Sequence, residues 1–256
     1  MFDSTIPFGE PELMRASSFR RFLPHARDGS GAAILSPQLA SLSPSLMADL
    51  GAGAHHEQRT ELLDVLAACV RHAQAVTVHL QSGDRAVPVT LFPHERLLHC
   101  PIPIDVLMAP RETALQVIHI EPALLTAPGQ AVGHHGPAGP YSVADLCIHP
   151  MGAILWDLAL HGGRHELLPE ISGPAVYRVS HGLDVGDVTM SGTLLSAVYR
   201  LRRESCCLRD IATWPGFDRE RAARLLNGLY LQSGLIVSRS HPDALRESWF
   251  AALGPR

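Results

Sequence analysis

Apolar positions recur with a helical period across "EQRTELLDVLAACVRHA". Leu62, Leu66, Cys69 and Val70 share one stripe, which Leu63 and Val65 widen. That is the width of an amphipathic helix turned toward a core. Just upstream, "LSPQLASLSPSLMADLGAG" carries Ser-Pro at 36–37 and again at 43–44. A serine N-cap followed by proline, whose fixed φ and missing N–H suit the first helical position, predicts two short helices ending near Gly51. The period then falls to two. "VTVHL" (76–80) and "AVPVTLF" (86–92) alternate on either side of "QSGD", which predicts a β-hairpin. Pro88 cannot donate to a ladder, so its strand is expected at an edge or a bulge. "RLLHCPIPIDVLMA" is a third apolar segment ending in a short helix, and "ALQVIHIEP" (114–122) is read as a buried strand. Helices followed by a run of strands imply an α+β fold, not a doubly wound sheet.

"APGQAVGHHGPAGP" (127–140) packs four glycines and three prolines into fourteen residues and reads as a linker. Beyond it, "SVADLC" and "PMGAILWDLALHGG" are helical in pattern, the second stopped by Gly162 and Gly163. "PAVYRV" (174–179) reads as a strand, and "SGTLLSAVYRLRRE" opens a last helical group with Ser191 at the N-cap. The expected organisation is an N-terminal extension at 1–33, an α+β domain at 34–126, the linker, and a helical region at 141–256.

With 46% apolar and 18% charged residues, the composition is globular, with ample material for a core. No window approaches eighteen consecutive apolar residues, so no membrane insertion is expected. The first residues lack the apolar h-region of a secretory signal. Five scattered cysteines, an odd number, fit reduced thiols in the cytoplasm. The chain has no lysine: all 21 basic residues are arginine. A P-loop, a Schiff-base enzyme and an ordinary protein kinase each need a lysine amine, so these classes are excluded. Charge is unevenly spread. Residues 1–190 hold 11 Arg against 19 acids, a formal −8, and residues 191–256 hold 10 Arg against 6, a formal +4. Such an asymmetry suits nucleic acid at one end or attraction between the parts.

Candidate chemistry is sparse. "HERLLH" (His94, Glu95, His99) has one residue too many for a zinc-protease motif. Ligands five apart on a helix diverge by about 140°, against about 40° for four apart. "HGGRHE" spaces His161 and His165 four apart but with two glycines between them, and with Glu166 it offers a weak hydrolase reading. "GHHGP" lies in the linker, and no C-x-x-C occurs. "GAGAHH" (51–56) follows a helix and lacks a third glycine, so it builds no dinucleotide turn. No G-x-S-x-G is present. Cys100 sits beside His99, but neighbours on a strand face opposite ways, so a buried structural thiol is the expectation. No cofactor is expected. In "LWDLALHGGRHELLPEI", Trp156 and its leucines read as core, with a partner surface as the alternative.

The last stretch carries the clearest architecture. "TLLSAVYRLRRE" sets Leu194, Leu195, Val198 and Leu201 on one side, and "LRDIATWPG" turns Leu208, Ile211 and Ala212 inward before Pro215-Gly216. "DRERAARLLNGLYLQSG" starts with Asp218 as N-cap and buries Ala222, Leu225, Leu226 and Leu229. It stops at Gly234, and "LIVSRS" follows as a strand. Over residues 191–240 this pattern resembles the winged helix-turn-helix modules of bacterial regulatory proteins. The resemblance implies a third helix able to meet DNA, with Arg219, Arg221, Arg224 and Asn227 as its contacts. Asp218 and Glu220 among them oppose phosphate, and "LIVSRSHP" leaves little room for a basic wing. The expectation is therefore a non-enzymatic regulatory or adaptor protein acting through protein contacts, with a homo-oligomer allowed. A DNA-binding transcriptional regulator is the alternative.

Overall fold

The computed structural model describes residues 13–22, 42–52, 62–108, 115–123, 125, 147–183, 190 and 192–240. They build a mixed α+β chain with antiparallel sheets, in two compact units dividing between Met151 and Gly152.

The first unit contains α1 (Ala16–Phe22), α2 (Pro44–Ala52), α3 (Leu62–His72), β1 (Val76–Ser82), β2 (Arg85–Phe92), β3 (Leu97–His99), α4 (Ile104–Met108), β4 (Gln116–Pro122) and β5 (Ile148–Pro150). Its five strands run in the order β4-β1-β2-β3-β5. The hairpin forms because alternation on both strands agrees. Val76, Val78 and Leu80 lie opposite Leu91, Val89 and Val87 and bury one apolar face. Gly83, at φ 60°, makes the tight connection. Ser43 does cap α2, its hydroxyl accepting from the Leu46 N–H at 3.3 Å. The Ser-Pro at 36–37 lies outside the described residues, as do Ser191 and the 127–140 segment.

Two sequence expectations are refined by the pairing. Pro88 sits in β2, which has partners on both sides, but β3 pairs only with Thr90–Phe92. Proline therefore occupies a part of the strand with one neighbour, where its missing N–H costs no ladder bond. β4 was expected to be buried; it is half-buried along its whole length because it is an edge strand, paired to β1 alone. The division after Met151 also keeps β5 with the first sheet, through Leu97↔Pro150 to His99↔Ile148. The sequence assigned 141 onward to the later region, since a three-residue strand shows no period.

The second unit is built from the rest of α5 (Met151–His161), a 3-10 turn at Pro169–Ile171, β6 (Val176–Val179), α6 (Gly192–Arg203), β7 (Cys206–Cys207), α7 (Leu208–Ile211), α8 (Arg219–Leu231) and β8 (Leu235–Ser238). The sheet order is β7-β6-β8. Asp218 caps α8, accepting from the Arg221 N–H at 2.7 Å. Leu225, Leu226 and Leu229 are fully buried, each burial stabilising by roughly 1.5–3 kcal/mol. Among the described residues no helix is long and apolar enough to cross a membrane.

Candidate functional site

The residues expected to meet a partner divide sharply. Arg219 is exposed, and no described residue pairs with it. Arg221 turns back onto its own N-terminal turn: Nη1 donates to the Gly216 carbonyl at 2.8 Å and Nη2 to Thr193 Oγ1 at 2.9 Å. Arg224 donates to the Leu160 carbonyl at 2.8 Å and pairs with Glu220 at 3.0 Å. Asn227 is fully buried. Its Oδ1 accepts from the Leu168 N–H and its Nδ2 donates to the Glu166 carbonyl, both at 2.9 Å. Arg224 and Asn227 thus tether the 160–168 segment to α8, and Asn227 has no atom left for an outside contact. Trp156 is also core: it is buried, and its ring lies against α8 at Gly228, where a methyl group would come within 2.7 Å of two ring carbons. It forms no partner surface.

The histidine-and-acid reading of 161–166 fares no better as a single site. His161 pairs with Asp157 at 2.8 Å, while His165 pairs with Glu220 at 2.9 Å. Each ring uses an acid other than Glu166. Among the described residues no three His, Cys, Asp or Glu side chains gather as a metal site. Burial moves three thiols away from the reactive thiolate: Cys100 is pushed up, Cys69 up to about 12, and Cys206, also beside Glu204, up to about 11.

What the second unit does present is an aromatic groove between α6 and the turn after α7. α7 ends at Ile211, and in the following "TWPGFD" Gly216, at φ 76°, reverses the chain. The Phe217 N–H then donates to the Trp214 carbonyl at 2.9 Å. That turn sets the two rings edge to face at 6.1 Å. Arg200, from α6, lies over Trp214 at 4.5 Å, and Arg221 over Phe217 at 5.3 Å. Thr193, Ser196, Ala197, Arg200, Trp214 and Phe217 line a cleft of about 310 Å³. A wider depression continues along α6 past Ser196 and Arg200 to Tyr199, Arg203 and Glu204. Tyr199 is 52% exposed. Arg200 is paired with Glu204, whereas Arg203 is exposed with no partner among the described residues. Two arginines, Arg200 and Arg203, against Glu204 leave the lining with one positive charge in excess.

In the sequence "TWPG" reads only as a helix stop, and the groove is not legible from it. The available signal was a tryptophan and a phenylalanine flanking a glycine turn, with Arg200 and Arg203 on the helix that faces it.

A second cluster lies in the first unit, on the sheet face opposite the apolar rows. Thr77 and Thr90 share a buried hydroxyl hydrogen bond of 2.9 Å, and His79 Nε2 meets Glu121 Oε1 at 2.8 Å. Phe19 of α1 stacks on His79 at 4.4 Å, with His119 5.9 Å from His79. In the same cross-strand row as Thr90 is His99, whose buried Nδ1 has no partner. Burial, then the nearby His149, lowers the pKa of His99; burial, then His79, lowers that of His119 against the pull of Glu121. These histidines are held toward the neutral form. Phe19 of α1 covers the His79 ring in this cluster.

No family model, curated protein or solved structure matches this chain.

Proposed function

We propose that the chain is a non-enzymatic regulatory or adaptor protein of the cytoplasm that works through protein contacts, with a winged-helix-like module at its C-terminal end. The observation that carries the reading is the aromatic groove with its arginine rim, an open surface on the second unit. Aromatic and arginine side chains around a concave site are the usual anchors of protein interfaces.

The order helix, short strand, short helix, helix, strand in α6, β7, α7, α8 and β8 supports the winged-helix likeness. The chemistry of α8 favours protein over DNA. A DNA reader keeps its third-helix side chains free for bases and phosphates. Here Asn227 is internal, Arg224 holds a backbone carbonyl, and Arg221 holds the turn. One observation favours the DNA alternative: Arg203 and Arg219 are exposed and unpaired among the described residues.

Fluorescence anisotropy with mixed duplex DNA at several salt concentrations separates the two, comparing wild type with Arg203→Ala/Arg219→Ala. The expected result is no specific loss in the variant and no tight binding at physiological salt. Binding that falls steeply with salt and disappears in the double variant overturns the protein-contact reading. Affinity capture with wild type and with Ser196→Trp, which fills the cleft from an exposed helix position, supplies the positive arm: a partner held by the first and lost by the second.

A further inference from the structure

Resting on that reading, we infer that the groove receives an acidic segment of a partner protein, anchored by one apolar side chain in the cleft beside Trp214. The size of the cleft sets the first limit. About 310 Å³ lies at the small end of binding pockets. It suits a single anchoring side chain, not the face of a whole helix. Its walls are the rings of Trp214 and Phe217, Ala197, and the methyl-bearing Thr193, so the anchor is apolar.

Charge sets the second limit. Arg203 stands at the rim with five N–H donors and no described partner. Arg200 uses Nε on Glu204, which leaves its outer nitrogens for a second carboxylate. A carboxylate placed there forms charge-assisted hydrogen bonds without burying an unpaired charge. A lysine or arginine in the same place meets like charges and is rejected.

The same side chains argue against a nucleic acid strand. Base binding needs an open aromatic face on which to stack. Trp214 is only 7% exposed and its face is covered by Arg200, while Phe217 carries Arg221. The Trp214 and Phe217 rings offer edges to a side chain, not a platform to a base, and Arg202 lies 5.5 Å over the ring of Tyr199. An acidic segment with an apolar anchor matches Arg203 and the outer nitrogens of Arg200 on one side and the ring walls of the cleft on the other.

The test is selection of a displayed library of random dodecapeptides on the intact chain, with Ser196→Trp as the subtracting bait. Enriched peptides are then synthesised and titrated, alongside oligothymidine and oligouridine of equal length. The inference expects Asp and Glu flanking a leucine or aromatic residue. It expects affinity to fall about tenfold in Ser196→Trp, to fall severalfold in Arg203→Glu, and to weaken with salt. Enrichment of neutral or basic peptides that Ser196→Trp still abolishes overturns the acidic assignment and leaves the protein-contact function standing. Oligonucleotide binding lost in Ser196→Trp transfers the groove to nucleic acid and overturns both. No enrichment, together with capture that Ser196→Trp leaves unchanged, also sinks both. Circular dichroism of each variant against wild type separates a blocked groove from a misfolded chain.

Discussion

Gly228→Ala isolates the packing that fixes α8. In an exposed helix this change is stabilising, because alanine exceeds glycine in helix propensity by about 0.8–1 kcal/mol. Here the added Cβ would lie 2.7 Å from both Cε3 and Cζ3 of Trp156 and 3.4 Å from Cδ2. The ring has little room to retreat: Trp156 is 3% exposed, and Leu155 and Ala159 beside it on α5 are buried. Overpacking a closed core typically costs about 1–3 kcal/mol. Simultaneous approach to two carbons of a rigid ring argues for the upper half of that range. Subtracting the propensity gain leaves a net destabilisation of about 1–2 kcal/mol. For a unit of this size, each kcal/mol lowers the midpoint by roughly 4–8 °C. The assay is thermal and urea unfolding of the full chain followed by far-ultraviolet circular dichroism, completed as a cycle with Trp156→Leu. Removing the ring destabilises by itself, but in that background Gly228→Ala becomes neutral or mildly stabilising. The cycle thus shows a coupling of about 1–3 kcal/mol between the two positions. Stabilisation by Gly228→Ala in the wild-type background would refute the close approach and the placement of Trp156 in the core.

Other consequences follow from individual groups. Asn227→Ala strands the Leu168 N–H and the Glu166 carbonyl. The expected cost is about 2–4 kcal/mol, with faster amide exchange at Leu168; unchanged exchange there would contradict the tether. His99 and His119 have folded pKa values lowered by burial. The unfolded state therefore binds protons first, and stability is full above the unfolded histidine pKa of about 6.5 and is lost as pH falls below it. Urea midpoints measured from pH 8 to 5 should drop for wild type and flatten in His99→Asn/His119→Asn. Cys69, pushed up to about 12, should resist iodoacetamide at pH 8 and be labelled only in denaturant, as peptide mass spectrometry would report.

How much could be read from the chain depended on whether a residue's polarity matched its burial. The Leu225, Leu226 and Leu229 stripe, the Asp218 cap and the turn after Leu231 all follow local rules, and the structure has them. Asn227 breaks the correspondence. Its amide predicts an exposed position, yet α8 is buried almost without interruption from Ala222 to Leu229. The small residues Ala222, Ala223 and Gly228 around it were the sign that this helix is enclosed. An enclosed amide must then find internal partners. Arg224 departs from its expected place for a related reason, since a long side chain at the border of a buried stripe can reach a carbonyl 64 residues away. β5 and β7, of three and two residues, are too short to show a period and exist through their register partners. The groove depends on α6 meeting the Trp214–Phe217 turn across non-local sequence, which no spacing along the chain encodes.

The central claim is that the α6–Trp214 groove is where this protein meets another protein. Site-specific photo-crosslinking in the source cells tests it most directly, with p-benzoylphenylalanine replacing Tyr199 at the groove's exposed end. The account predicts crosslinks to protein, mapping to acidic segments with an apolar residue, and their disappearance when Ser196→Trp is added. Crosslinks to nucleic acid, or protein crosslinks that persist undiminished with the cleft filled, would contradict it.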